Sequence, residues 1–581
     1  MRCVVAPNPK RPTEENYAAF YGGHDASLCI YNKPTDTFHT IELEKLVGVK
    51  HARWPARPDP GFYTRDFYRG DPRSMVFALK LEMERLGLRA EFRHVVIGST
   101  WGEVSDAYTQ WMPLDLLLQE FKVDNFSYHK GHHMAHAWCA VMQSPYSRGV
   151  WVVTDGGGDD AYFSVGVYDR TANKFKRINF TQLEEHNLGG WYERKAGFYC
   201  DSLTQKTPMV NDLSGKVMGA AGFGIPGTEL KPKRWHELTD LGPHPLALAA
   251  RSYIGENNRT RFANKEHLTW QEECNICYTI QNELEKEFMH SLYDLMPDIE
   301  QNLSVYGNNL IMSGGVSLNI LNNKKIQEEL GVNVWVPPNP ADNGLSFGML
   351  MKWLVENRPN LVAYKWNDPN AKVYDLTFSG PSIRDLTDIN RYKDLYKTTH
   401  SEITLDELVT CIKDGEIIAL MQGNSEVGFR SLGARSILCD ASITGIKDKV
   451  NLTKRREAYR PFAPVCLWKD ASQYFEVGEH NIYKHMNMAV MVKEEWREKL
   501  SSITHVDNTA RLQAVEEQDG FMFDLLTKHG GVLLNTSLNL SGKPICNSLY
   551  EALHILERSD IDKLVVSDLN NKLVCFEKYK E

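Results

Sequence analysis

Residues 132–160 read HHMAHAWCAVMQSPYSRGVWVVTDGGGDD, and they decide how the first half of the chain is to be understood. His132 and His136 stand four residues apart, so on a helix both imidazoles leave one face, the spacing a cation needs for two nitrogen ligands. The continuous apolar run Val150–Thr154 predicts a buried strand, which puts Asp155 at its carboxyl end, where open α/β sheets bind ligands. Gly156, Gly157 and Gly158 then allow a tight turn with bare N–H groups that can face a phosphate. A second strand-then-glycine unit follows at Leu310–Asn319, LIMSGGVSLN, and a second acidic turn, PADNG, carries Asp342.

Paired histidines often do no more than pack, and glycine turns after strands are commonplace. An aspartate at each of two strand ends changes the reading, because His132, His136, Asp155 and Asp342 together make a two-nitrogen, two-oxygen donor set. Such a set suits iron, zinc or manganese better than magnesium. Two glycine turns of this kind also predict a nucleotide held between two lobes, as in the actin/Hsp70/sugar-kinase superfold, hence an α/β fold.

At 581 residues the chain is too long for one core, and length alone predicts roughly three to four domain-sized units. A net charge of −9 argues against a general polyanion-binding surface and leaves room for a local basic pocket. No apolar run approaches the roughly 18 residues that span a bilayer, and the start, MRCVVAPNPKRP, lacks a signal-peptide core; a cytoplasmic protein with no membrane partner is expected. The cysteines number 11, odd and scattered, so reduced thiols are expected. Cys274 and Cys277 lie in a long amphipathic pattern and are expected to pack in a core rather than to hold zinc.

Along the chain, Ala26–Tyr31 and Phe38–Glu42 predict a hairpin, residues 74–87 a helix and residues 94–99 a strand. Strands and helices then alternate to Leu354. Periodicity weakens between residues 357 and 401, where Pro359, Pro369 and Pro381 fall, so a first domain over 1–375 and a second, smaller α/β domain over 395–581 are expected. Glu416–Gln422, residues 531–534 and residues 563–566 read as strands of the second domain. No tandem repeat stands out.

Three segments of that domain concentrate cations: Arg430 and Arg435 among glycines, Lys454, Arg455, Arg456 and Arg460 ahead of the apolar PFAPV, and His505 with Arg511. Arg455 reads as a solvated charge. The rest interleave with apolar residues and few acids, so bound phosphates are the expected partners, held bidentately as guanidinium geometry favours.

In order along the chain, GGHDAS, HHMAHA, DGGGDD, SGKVMGAAGFG, MSGGVSLN, PADNG, GFRSLGARSIL, KRREAYRPFAPV, HVDNTARLQ and NTSLN resemble the NodU/CmcH-type O-carbamoyltransferase family, which includes tobramycin carbamoyltransferase. The resemblance implies a TsaD-like N-terminal domain joined to a YrdC-like C-terminal domain. It implies that carbamoyl phosphate and ATP, the latter with magnesium, yield carbamoyl adenylate in the second domain, and that the first passes the carbamoyl group to a hydroxyl. Carried over by position, His132, His136, Asp155 and Asp342 would hold a divalent metal, usually iron(II), and His24 would be the catalytic histidine. Lys216, Gly314 and Gly315 would hold the nucleotide; Arg430, Lys454, Arg460, Arg511, Asn535 and Ser548 would bind carbamoyl phosphate and ATP.

The chain departs from the family pattern at Asn424, Phe429 and Ser431, which puts one phosphate contact in question. Residues 51–69, HARWPARPDPGFYTRDFYR, interleave arginines and aromatics where the family is more acidic and apolar, a pattern that suits either a stacking platform for an acceptor or a packed loop. A small-molecule hydroxyl acceptor is expected ahead of nucleic acid, a hydroxymethylated pyrimidine included. Threonylcarbamoyl-type transfer to tRNA adenosine is a second reading, set back by the net acidity. A non-catalytic nucleotide-binding regulator is a third, and it would not need His24, the metal set and the cations together. Neither the acceptor nor the oligomeric state follows from the sequence.

Overall fold

The computed structural model describes residues 16–52, 54, 72–98, 114–199, 213–227, 269–362, 374–383, 396–478, 483–567 and 572–579. Strands β1 (Asn16–Tyr21), β2 (Ser27–Asn32) and β3 (Thr37–Glu42) form an antiparallel meander; β4 (His94–Gly98) joins β1 in parallel and β5 (Phe126–Tyr128) joins β4, giving the order β3-β2-β1-β4-β5. The expected hairpin is present, with Tyr31 opposite Phe38. Its central neighbour β1 was not anticipated: NYAAFY is short and lies ahead of the glycine turn, yet all six residues are buried.

A second sheet repeats this path. Strands β6 (Arg148–Thr154), β7 (Phe163–Asp169) and β8 (Lys174–Thr181) form the meander, and β9 (Asn309–Ser313) and β10 (Asn333–Trp335) extend it in parallel, order β10-β9-β6-β7-β8. The duplication lies in topology rather than in matched residues, which is why no tandem repeat is visible in the sequence. It is the two-lobed α/β arrangement expected for the actin/Hsp70/sugar-kinase superfold. In β6 six of the seven residues are buried, as a strand covered on both faces must be.

The helices His132–Gln143 and Leu345–Asn357 fill the space between the sheets, where Trp138, Cys139, Phe347 and Leu350 join residues of both sheets in one apolar cluster. They cross very closely: a β-carbon at Gly348 would stand 1.9 Å from the carbonyl oxygen of Ala135. On the far side of the second sheet lies the helix Trp270–Leu295, opened by a capping box between Thr269 and Glu272. Cys274 and Cys277 are buried thiols within it, as expected. No helix among the described residues is long and apolar enough to cross a membrane.

The C-terminal strands are β11 (Thr398–Ile403), β12 (Ile418–Met421), β13 (Arg435–Asp440), β14 (Ala463–Leu467), β15 (Phe475–Glu476), β16 (Ala489–Val492), β17 (Thr509–Arg511), β18 (Gln513–Val515), β19 (Leu533–Ser537), β20 (Lys563–Ser567) and β21 (Leu573–Lys578). Eight of them form one mixed sheet, β11-β21-β20-β12-β13-β19-β14-β18, the widest among the described residues. Mixed pairing makes that width possible, since antiparallel neighbours need no crossover helix.

The two parts meet through buried polar contacts. Glu42, at the end of β3, pairs with Lys45 and accepts hydrogen bonds from the Gly428 N–H at 3.1 Å and the Asn343 side chain at 3.0 Å. Lys45 also donates to the Glu426 carbonyl, and Asn323 to that of Asn487 at 2.7 Å. Trp54, offered as part of a stacking platform, is 1% exposed and packs edge-on against Phe20 with centroids 5.1 Å apart. It belongs to the core; residues 55–69 of that segment lie outside the described residues.

The close helix crossing predicts that Gly348→Ala lowers stability by about 1–3 kcal/mol, because the added methyl forces the helices apart. Gly157→Ala, where nothing lies within 4 Å of a new β-carbon, is expected to stay within about 0.5 kcal/mol. Denaturant melts of both variants check the contrast.

Candidate functional site

The helix that carries the two histidines is capped by the loop that supplies an acid. Asp159 accepts the N–H of Gly131 at 3.0 Å and of His132 at 2.7 Å, and Asp160 that of His133 at 2.9 Å. These carboxylates satisfy donors that a helix start leaves open and favour its dipole. DGGGDD therefore divides its labour: Asp159 and Asp160 hold the helix, while Asp155 turns into the site. Gly158 leaves room for the His132 ring, whose Cδ2 would lie 3.0 Å from a β-carbon there.

Four donor atoms converge. The Nε2 atoms of His132 and His136 are 3.2 Å apart, Asp155 Oδ2 lies 3.1 Å from His136 Nε2, and Asp342 Oδ1 lies 3.4 Å from each imidazole. Ligands at about 2.1 Å from one ion stand about 3.0–3.4 Å apart, so the set fits a first-row transition metal. The electrostatics agree. Burial opposes a charge on His136, but hydrogen bonds and the charges of Asp155 and Asp342 outweigh it and raise its pKa to about 9. Burial would likewise raise Asp342, yet the charges of His24 and His132 hold it well below the usual carboxylate range. A pair of buried acids asks for positive charge, as protons or as a metal.

His24 follows β1 directly. Its Nε2 lies 3.1 Å from Asp342 Oδ2, its Nδ1 2.9 Å from Asp25 Oδ2, and the Tyr21 hydroxyl also donates to Asp342 Oδ2. Asp342 thus offers one oxygen to the metal set and the other to His24. On the opposite wall Gly315 N–H donates to Asp155 Oδ2 at 3.0 Å. Gly314, at φ +89°, brings β9 so close to β6 that a β-carbon would sit 2.2 Å from the Thr154 carbonyl. Only glycine fits there.

His24, Asp25, Asp155, Gly315 and Asp342 line one end of a cavity of about 560 Å³, and the other end is lined by Arg430, Lys454, Arg456, Arg460, Arg511 and Asn535. Burial, then the charges of Arg430, Arg456 and Arg460, push Arg511 well below its ordinary range; burial, then Arg460, lowers Arg430 to about 10. Lys454 is depressed by burial and by Arg456, Arg460 and Lys50, while it donates to the Ser537 carbonyl and to Asn539 Oδ1 at 2.8 Å. The only carboxylate within salt-bridge distance of this cluster among the described residues is Glu457, 3.5 Å from Arg460 and already paired with Lys216 at 2.6 Å. The charge balance favours a phosphate-bearing ligand.

Two matched segments decide the family: residues 91–350 match the carbamoyltransferase N-terminus and residues 409–572 the carbamoyltransferase C-terminus. The chain belongs to the carbamoyltransferase family. It is 30% identical over 457 residues to nodulation protein NolNO of Sinorhizobium fredii, an alignment covering 75% of this chain and 62% of that relative, less than two thirds of its length. With nodulation protein NolO of Bradyrhizobium diazoefficiens it shares 29% identity over 452 residues, 75% of this chain and 77% of the relative. Among solved structures, the activator of the 2-hydroxyisocaproyl-CoA dehydratase from Clostridium difficile with bound ADPNP aligns at a TM-score of 0.32 and 12% identity, over 59% of this chain and 96% of that one.

In this carbamoyltransferase the structure brings together His24, the four metal-set residues, Gly315, Arg430, Lys454, Arg460, Arg511 and Asn535 around one cavity. It gives other expected residues different tasks. Ser548 caps the helix Leu549–Glu557, accepting from Glu551 N–H at 3.3 Å while Glu551 accepts from Ser548 N–H; a helix start claims the hydroxyl, and it does not line the cavity. Lys216 reaches Glu457 rather than the cavity, whose wall on its helix is built by Ser214, Gly215 and Met218. Arg435 is fully buried and donates to the carbonyls of Gln422, Ala434, Pro381 and Gly423, so it braces the loop instead of meeting an anion. Arg455, at φ +52°, ends its helix exposed. Among the cavity residues, sequence reasoning passed over Glu193; it had Arg456 among the cations expected to meet phosphate and His51 in the segment read as either an acceptor platform or a packed loop.

The fit of the donor set predicts about one first-row transition metal ion per chain, measured by elemental analysis of purified protein. Asp342→Ala and His136→Ala are expected to weaken its retention by about tenfold or more, whereas Arg460→Ala keeps it.

Proposed function

We propose that this carbamoyltransferase is an ATP-dependent O-carbamoyltransferase that works at the two ends of its cavity. At the cationic end, carbamoyl phosphate loses phosphate to water, leaving carbamate. A carbamate oxygen attacks the α-phosphorus of ATP, pyrophosphate departs and carbamoyl adenylate forms. At the His24 end, an acceptor hydroxyl attacks the carbamoyl carbon and AMP leaves with the electron pair of the broken bond. The supporting observation is that Arg430, Lys454, Arg456 and Arg511 line the same cavity as His24, Asp155 and Asp342.

The chemistry explains why one space should serve both steps. A carbamoyl group is a poor electrophile, so it needs a good leaving group, and the resulting mixed anhydride is lost to water if released. Guanidinium groups hold phosphate oxygens in fixed geometry, and their charges count for more in a buried site than in water. His132, His136, Asp155 and Asp342 would hold the metal, taken as iron(II), whose Lewis acidity polarises the carbamoyl oxygen when bound. His24 Nε2 then stands where it can take the hydroxyl proton. A small-molecule acceptor is kept ahead of nucleic acid because the net charge of −9 disfavours a polyanion, and magnesium is expected to accompany ATP.

Incubation with carbamoyl phosphate and ATP, followed by a pyrophosphate assay, tests the reading, and no release would sink it. Arg511→Ala is expected to slow pyrophosphate release about a hundredfold or more while leaving transfer from supplied carbamoyl adenylate measurable. His136→Ala is expected to do the reverse, losing transfer and keeping pyrophosphate release. Equal loss of both half-reactions in folded variants would remove the division of labour.

A further inference from the structure

We propose that Asp25 and His51 are positioning residues for His24: together they fix the tautomer and direction of its ring and stabilise it once it has taken the acceptor's proton. This rests on the two-ended reading above and names the groups behind the histidine that it requires.

Each oxygen of the buried Asp25 carboxylate meets a different imidazole. Oδ2 lies 2.9 Å from His24 Nδ1 and Oδ1 lies 2.7 Å from His51 Nδ1. An ionised carboxylate can only accept, so both Nδ1 atoms carry hydrogen. His24 Nε2, 3.1 Å from Asp342 Oδ2, is then the atom left to exchange protons; the Tyr21 hydroxyl already donates to that oxygen, so Asp342 does not require a hydrogen on Nε2.

The backbone supplies an independent observation. Asp25 has φ +58° and His51 φ +54°, so both partners of this short hydrogen bond sit in the left-handed region that non-glycine residues avoid. Such conformations persist where the surroundings over-determine them, and they gather at functional sites. The surroundings here are specific. Glu44 accepts the His51 N–H at 3.0 Å, and the His51 ring meets Phe429 with centroids 5.8 Å apart. Phe429 precedes Arg430, so the dyad also touches the loop that carries a cation of the other half-site. Burial opposes a charge on Asp25, but the charge of His51 and hydrogen bonds from both histidines hold its pKa at about 2.

Asp25, Glu44 and His51 also bring donor atoms within 4.8 Å of one another, a spacing a cation could use. The metal content of Asp25→Asn separates a cation there from the dyad. In the transfer step the acceptor oxygen bonds to the carbamoyl carbon, the bond to the adenylate oxygen breaks, and the hydroxyl proton passes to His24 Nε2. The imidazolium so formed faces the Asp25 carboxylate until the proton leaves to solvent.

Asp25→Asn tests this directly, because the amide keeps the shape but can donate to Nδ1 and drive the proton onto Nε2. Transfer kcat is expected to fall about 10²–10⁴-fold, with acceptor KM changed less than about threefold and pyrophosphate release near wild type. His51→Asn keeps a donor at the place of Nδ1 and tolerates the left-handed backbone, so it should retain most transfer, whereas His51→Ala should lose about tenfold or more. Unchanged transfer in Asp25→Asn, or His51→Ala equal to His51→Asn, would overturn the proposal. So would the loss of a metal ion from Asp25→Asn, which would make the cluster a ligand set. If Asp25→Asn does not fold, the His51 pair decides. A wild-type protein that releases no pyrophosphate overturns the two-ended reading itself, a result distinct from any effect of Asp25.

Discussion

The site hangs on one carboxylate. Asp342 is 1% exposed, and a buried charge persists only when it is fully partnered. Its partners come from separate parts of the chain: Tyr21 from the end of β1, His24 from the turn after it, His132 and His136 from the helix between the sheets. Both lobes must therefore be in place before the carboxylate is satisfied. The tight crossing at Gly348 serves the same end, since it sets the helix of His132 and His136 against the helix that follows Asp342.

The cationic end obeys the opposite logic. There, charges of one sign are gathered, and the protein supplies little to neutralise them. Lys454 and Arg511 are depressed because burial and like charges both disfavour their charged forms. A ligand rich in phosphate relieves that arrangement, whereas the metal end is already close to balanced by its own acids and imidazoles. One space thus joins a region short of anions to a region whose acids and imidazoles nearly balance one another.

Much of this was legible in the residues. The i, i+4 histidines, the acid at the end of an apolar strand and the glycine turns are local patterns with fixed geometry, and the structure assembles them as that geometry implies. What escaped depends on loops and on distant packing. Arg430 and Arg435 lie in one glycine-rich segment, yet one faces the cavity and the other is consumed by four carbonyls. Nothing in the local sequence separates them, because the path of the loop decides. Ser548 reads as a donor until the helix start after it is seen, and Trp54 reads equally as platform or packing until Phe20 is found against it. The β1 strand was missed because NYAAFY lacks a clear alternation and runs straight from a charged stretch into the glycine turn.

Glu42 carries a consequence for how such proteins can change. Its Oε1 accepts from Asn343, next to Asp342, and from Gly428, two residues before Arg430, while Lys45 beside it binds the Glu426 carbonyl. A single carboxylate therefore acts as a spacer between the two ends of the cavity. Gly428, at φ +121°, admits no side chain there, since a β-carbon would meet the Pro338 carbonyl at 2.5 Å. Exchanging the C-terminal part for that of a relative would preserve the distance between the half-sites only if Glu42, Lys45 and the Gly428 turn travelled together. Recombination of this chain is thus constrained by a joint that lies outside the cavity lining.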